Sequence, residues 1–255
     1  MTSPGVGGPA DRLAAMLVQA IATGVPVGGA GMPAIEAERD AYRVQALVTE
    51  ALGPVVGWKV GRKSPQAAPT CAPLFASRMN PSGGTIGRDA FRLWRLEAEL
   101  AFRLARDLPP VGKPRGRDEV LAAVGEVLAV FEIVDSRYAA WPDMAPAMLL
   151  ADLQSHGAMV IGSSIPMPAA SALKTVHARL DVNGIRVVDA GSNPAGDIIE
   201  LLVWLANQPA PGGRSLRAGD LVTTGSFTGL VTLPPGGHAE ARLSGVGTVA
   251  VTRGQ

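Results

Sequence analysis

The sequence predicts an α+β fold, with a helical amino-terminal segment over residues 1–53 packed on a mixed-β domain over residues 54–255. Three observations carry this expectation. Helical periodicity is strongest before residue 53, short apolar runs follow it, and 31 Gly and 21 Pro with only 4% aromatics punctuate the chain as turns do. At 255 residues such a chain can bury a sizeable core.

Residues 11–22 place Leu13, Met16, Leu17, Ala20 and Ile21 at helical spacing, and residues 36–52 do the same with Ala41, Val44, Leu47, Val48 and Leu52. A Gly/Pro loop over 24–33 joins them. Residues 54–60 read as a strand in which Lys59 is the odd member. A lysine so placed either snorkels to water or sits in a pocket as acid, base or anion ligand. Residues 62–87 lack periodicity and read as an active-site lid or a disordered insertion.

Glu97 and Glu99 stand one residue apart in the apolar run from Leu93 to Leu104. On a strand both carboxylates point to one face. A solvated face makes them ordinary surface residues, whereas a buried one makes them repel and need a cation. A loop over 107–117 and a short helix over 117–125 follow. Glu132 is then the only charge in the strand Val127 to Val134, where it needs a cation, a donor or a proton.

After a polar loop, residues 157–162 read as a strand. Residues 176–189 form the clearest hairpin, because Asn183-Gly184 supplies the positive φ angles of a type I′ turn. Residues 195–207 read as a helix, and the carboxyl end as strands. The first of these closes on Thr223-Thr224-Gly225-Ser226, either a cradle for a carboxylate or an ordinary turn.

Composition narrows the partners. Lys plus Arg number 23 against 22 Asp plus Glu, so no bulk charge recommends nucleic acid or an anionic membrane, and a small molecule is the expected ligand. The single cysteine, Cys71, excludes an intramolecular disulfide and a multi-cysteine metal site, and fits a reducing cytoplasm. Met1 to Ala10 has no basic segment leading into an apolar one, so no secretory signal is expected there. No apolar run reaches the length of a membrane span. Glu97, Glu99 and Glu132 together suit a hard cation, Mg²⁺ or Mn²⁺ in preference to a caged Ca²⁺.

Gly57-Trp58-Lys59-Val60-Gly61, Arg95-Leu96-Glu97-Ala98-Glu99-Leu100-Ala101, Phe131-Glu132-Ile133-Val134-Asp135-Ser136-Arg137 and Gly219-Asp220-Leu221-Val222-Thr223-Thr224-Gly225-Ser226 resemble, in order, the motifs of the fumarylacetoacetate hydrolase superfamily. The branch most similar is that of the 2-keto-4-pentenoate (2-hydroxypentadienoate) hydratases and 4-oxalocrotonate decarboxylases, over about residues 41–251. The resemblance implies a barrel-like mixed-β fold, a homo-oligomer, and a divalent metal held by Glu97, Glu99 and Glu132. It also implies a 2-oxo acid substrate, Lys59 as a catalytic residue, and Thr224 and Ser226 beside substrate oxygens.

Three departures stand out. Ser77-Arg78 occupies the place where relatives carry an acidic residue, and Asp152 is followed by a sequence ending in His156 where relatives read Ala-Asp-Asn. Ser77 and Asp152 are therefore expected at the substrate, and His156 in the acid/base role. Arg62 and Lys63 follow the lysine motif and point either to a second acidic group on the substrate or to surface charge. The implied activity is hydration of a 2-hydroxy-2,4-dienoate in aromatic catabolism. The alternatives are 2-oxo-acid decarboxylation, acylpyruvate hydrolysis, or 2-oxo-acid binding by a catalytically weak partner protein.

Overall fold

Helix α1 (Pro9–Thr23) opens on a proline, whose missing N–H costs nothing in a first turn, and stops at Gly24, left-handed at φ 71°. This computed structural model describes residues 7–110, 112–190, 193–208 and 215–255. The reading that found no secretory signal lies outside the described residues for Met1 to Val6, as does Val111 of the loop expected at 107–117. Helix α2 (Glu38–Leu52) carries Glu38 and Asp40 in its first turn and ends at Gly53. The helices share one apolar cluster, Leu13, Leu17, Val44 and Val48, which continues through Phe75 and Tyr138.

The remaining elements are, in order, β1 (Val55–Gly61), β2 (Thr70–Phe75), β3 (Met79–Pro81), β4 (Thr85–Ile86), β5 (Arg95–Leu104), α3 (Arg117–Leu121), β6 (Val124–Val134), α4 (Pro146–Ala151), β7 (His156–Pro166), α5 (Ala170–Leu173), β8 (Ala178–Val182), β9 (Ile185–Ala190), α6 (Ile198–Ala206), β10 (Leu221–Ser226), β11 (Val231–Thr232), β12 (His238–Leu243) and β13 (Gly247–Arg253). The larger sheet runs β2-β1-β10-β5-β6-β7-β3, with β11 pairing β5, and curls into a half-barrel. The smaller sheet runs β4-β13-β12-β8-β9. The main core lies between them and includes Phe102 and Phe131 of the larger sheet, Ala241 and Val249 of the smaller, and Leu201 and Leu202 of α6.

Local chemistry explains several junctions. Asn183 and Gly184 take φ 52° and 77° between β8 and β9, as the hairpin reading requires. The Asp197 carboxylate caps α6 by accepting the Ile199 N–H at 2.9 Å, which starts that helix later than the expected residue 195. Residues 62–87 correct an expectation. Pairing of β2 with β1, of β3 with β7 and of β4 with β13 ties that stretch to both sheets, so it is not a disordered insertion. Helix α4 escaped notice because its apolar run is too short to show a period.

Gly57 brings β1 against β10 in parallel register, with Lys59 opposite Thr223. A Cβ at Gly57 would lie 2.1 Å from the Leu221 carbonyl oxygen, a backbone atom that cannot step aside. Gly57→Ala is expected to cost about 2 kcal/mol or more, read as a lowered urea midpoint at unchanged slope.

Candidate active site

Four adjacent strands bring the chemistry together. Lys59 comes from β1, Thr223 and Ser226 from β10, Glu97 and Glu99 from β5, and Glu132 from β6. Glu97 sits directly opposite Glu132, and Glu99 opposite Ser226. These side chains line one cavity of about 560 Å³. Oxygen atoms of the three glutamates all lie within 4.8 Å of one another. Glu99 and Glu132 are buried, and Glu97 is half-buried.

The electrostatics of this arrangement are unbalanced. Burial first, and then repulsion from Glu132, pushes the Glu97 carboxyl up to about 7. The same two causes, with Glu97 added, push Glu99 well above its ordinary value. Burial also acts against the charge on Glu132, yet the Lys59 ammonium and His156 outweigh it and hold that carboxyl down. Lys59 Nζ donates to both Glu132 oxygens, at 2.6 and 2.7 Å. The three carboxylates raise its pKa despite burial. One lysine cannot neutralise three carboxylates, and Glu99 Oε2 is buried with no hydrogen-bond partner. An all-oxygen set with that surplus of negative charge fits a hard divalent cation.

Behind Glu132, His156 Nδ1 lies 2.9 Å from Oε1. Burial holds the imidazole below its usual pKa against the pull of Glu132. Leu153, Gln154 and Ser155 form an unusual turn with φ of 54°, 52° and 58°, the left-handed region that residues with a side chain avoid. The Gln154 carbonyl accepts from Lys59 Nζ at 3.2 Å, so this turn helps aim the ammonium. Arg137 spans the turn. Its guanidinium donates to the carboxylate and carbonyl of Asp152 at one end and to the His156 carbonyl, 2.6 Å away, at the other.

The expected residues divide. Lys59, Arg62, Glu97, Glu99, Glu132 and Ser226 all line the cavity. Arg62 does so with its guanidinium committed to the Ala195 carbonyl at 2.8 Å and to Glu200 at 2.9 Å. Three substrate positions are corrected. Ser77 is exposed on a 3-10 turn away from the cavity. The Asp152 carboxylate is buried and taken up by Arg137 and by the Ser136 hydroxyl at 2.7 Å. Thr224 turns to the opposite face of its strand, where its hydroxyl faces the Leu100 carbonyl at 3.3 Å. Its neighbour Thr223 takes the cavity side, with a buried hydroxyl directed at Glu99. Strand alternation counted along the Thr-Thr-Gly-Ser motif supplies two candidates but not the face. His156 is likewise absent from the cavity wall and acts on Glu132 instead. The sequence reading also missed an apolar wall that includes Val60, Ala147, Leu149 and Leu150.

Comparison with known proteins agrees with this architecture. The family model described as fumarylacetoacetate (FAA) hydrolase C-terminal matches residues 21–252. The 2-keto-4-pentenoate hydratase of Paraburkholderia xenovorans is 32% identical over 94% of this chain and 93% of its own. The 2-hydroxyhexa-2,4-dienoate hydratase of Comamonas testosteroni is 34% identical over 62% of this chain and 59% of its own. Among solved structures, 4-oxalocrotonate decarboxylase from Pseudomonas putida G7, complexed with magnesium and adipate, superposes with a TM-score of 0.83 at 25% identity, covering 96% of this chain and 97% of that one. The same enzyme complexed with calcium and acetate gives 0.82.

Proposed function

Because the chain belongs to the fumarylacetoacetate hydrolase family, we propose that it is a divalent-metal-dependent hydratase of a 2-hydroxy-2,4-dienoate, as in aromatic catabolism. The observation that carries this reading is the buried Glu97, Glu99 and Glu132 trio with a lysine against it, in a cavity that is otherwise largely apolar. Glu97, Glu99 and Glu132 would hold the ion, Mg²⁺ or Mn²⁺, which when bound supplies Lewis acidity beside the substrate's 2-oxygen.

The chain's own residues do the rest. The Thr223 and Ser226 hydroxyls border the trio and are placed to hold substrate oxygens. Lys59 carries its proton at Nζ, the one ammonium against the carboxylates, and is the group we assign to proton transfer. His156 orients Glu132 from behind. Hydration needs a proton delivered to the far end of the dienol to give a conjugated 2-oxo-enoate, and then addition of water across the new double bond. Val60, Leu149 and Leu150 offer an apolar wall to the hydrocarbon end.

That wall favours an uncharged tail. Arg62 is already paired, and Glu36 and Glu38 line the cavity too, where they repel a second carboxylate. An alkyl-ended monoacid therefore suits the cavity better than a dioate. One residue favours a second reading, decarboxylation of a 2-oxo-enedioate. The exposed Lys63 also lines the cavity, a cation available to a distal carboxylate. A substrate panel with Mg²⁺ or Mn²⁺ tests both. Loss of dienol absorbance without CO₂, fastest for alkyl-ended substrates, is the expected result; CO₂ release from a dioate establishes the second reading, and no turnover of any substrate overturns both.

Lys59→Met is expected to lower kcat by about 10²- to 10⁴-fold, the usual scale for a general acid or base. Metal affinity should hold or tighten, since the trio loses its competing cation. Steady-state kinetics with a metal titration checks this, and unchanged kcat removes the role. We also propose a cytoplasmic homo-oligomer. Ile185 and Val187 are exposed on β9, the edge strand of the smaller sheet, as an assembling surface would leave them. Among the described residues no helix is long and apolar enough to cross a membrane.

A further inference from the structure

A second concave site lies away from the acidic cavity. It has a volume of about 340 Å³ and sits between the end of α1, the 3-10 turn at Arg88–Ala90, the loop after β6 and the end of β13. Five arginines line it, Arg78, Arg88, Arg92, Arg137 and Arg253, against two aspartates. One Asp135 oxygen accepts the backbone N–H groups of Arg92 and Leu93 at 3.1 and 2.9 Å, and its charge offsets part of the positive charge at Arg78. Asp89 is an exposed neighbour of Arg88.

Arg137 is paired with Asp152 and Arg88 lies beside Asp89, but the other three arginines are held in place by groups that do not neutralise them. Arg78 donates to the Gly157 carbonyl at 3.1 Å, and Arg92 to the carbonyls of Ser136 and Tyr138 at 3.3 and 2.8 Å. Arg253 donates to the Leu233 carbonyl at 2.8 Å and lies over the Trp94 ring, 5.0 Å from its centroid, while its Nε is buried without a partner. Among the described residues no carboxylate lies within ion-pair distance of Arg78, Arg92 or Arg253. Burial and the neighbouring Arg137 charge act against the protonated form of Arg78. Concentrated, pre-oriented guanidinium groups with spare donors are what binds a planar or tetrahedral oxyanion through paired N–H···O contacts.

We infer that this arginine-lined cleft is a binding site for a small multivalent oxyanion, a phosphate or a dicarboxylate, separate from the acidic cavity. The source of positive charge sets the two apart, because the acidic cavity needs a bound cation before it can take an anion, whereas the cleft is lined by arginines of its own. The inference does not rest on the proposed hydratase activity. It has its own consequence inside the fold, since Arg137 is common to the cleft wall and to the clamp on the left-handed turn.

Isothermal titration of the metal-loaded protein with inorganic phosphate and, separately, with succinate tests the site and distinguishes the two chemistries. Saturable binding of at least one is expected. Arg253→Gln and Arg88→Gln should each weaken it by roughly tenfold, the loss of one charge-assisted contact, while Glu99→Gln should leave it intact. Arg88 is exposed, so its replacement leaves the fold alone, and circular dichroism verifies both variants. The site is overturned if neither anion saturates, if both arginine variants bind as the parent does, or if Glu99→Gln abolishes binding and so moves the anion to the acidic cavity.

Discussion

Glu99→Gln is expected to abolish metal-dependent turnover, by roughly 10²- to 10³-fold or more, while the fold survives. The carboxylate it removes is buried, shares one face with Glu97, and has an oxygen with no partner. Burial and two like charges already act against its ionised form. Neutralising it therefore relieves repulsion in the metal-free protein, and the variant should melt no lower than the parent when metal is absent. Adding metal reverses the order. A ligand that binds only the folded state stabilises it by about 2.7 kcal/mol at a hundredfold excess over Kd, which raises the melting temperature of the parent and leaves that of the variant nearly still. Thermal unfolding of both proteins with and without Mg²⁺ checks the prediction. Full activity in the variant, or an equal metal shift, would remove Glu99 from the ligand set.

The carboxylate trio was legible because charge inside apolar runs is conspicuous. Glu97 and Glu99 share a face by strand periodicity alone, and Glu132 is the only charge in its run. What could not be read was which partner each residue meets across the sheets. The pairing of Glu97 with Glu132 depends on the β5–β6 register, and the choice of Thr223 over Thr224 depends on an irregularity where β10 pairs with β5. Ser77 and Asp152 were misplaced for a similar reason. Each stands where a motif suggested chemistry, but one lies on an exposed turn and the other meets an arginine fifteen residues back in the chain. The two amino-terminal helices and the Asn183-Gly184 hairpin, which depend on local pattern, matched closely, whereas the helix expected over 117–125 ends at Leu121 and gives way to β6 at Val124. Helix α4, six residues long, carried too little pattern to find.

Arg137→Ala should be among the most destabilising single changes in the chain, by about 3–5 kcal/mol, because it strands the buried Asp152 carboxylate without a cation. Burial already acts against that carboxylate, with the guanidinium, the Ser136 hydroxyl and the Arg137 backbone N–H as counterweights. The cost should extend to the reaction. The guanidinium grips both ends of the turn from Asp152 to His156, whose three left-handed residues cost about 1–2 kcal/mol each and persist only while something holds them. When the turn relaxes, the Gln154 carbonyl leaves Lys59 and His156 shifts behind Glu132. Arg137→Lys, which keeps the charge but loses the planar fork, should therefore fold with a milder loss and show a lowered kcat at nearly unchanged KM. Gln154→Gly, which takes the left-handed conformation freely, should recover part of the stability in that background. Urea denaturation and steady-state kinetics on the set separate the two accounts of Asp152. If Asp152→Asn were as stable as the parent and raised only KM, the carboxylate would belong to substrate binding after all, and the clamp would not be what aims Lys59.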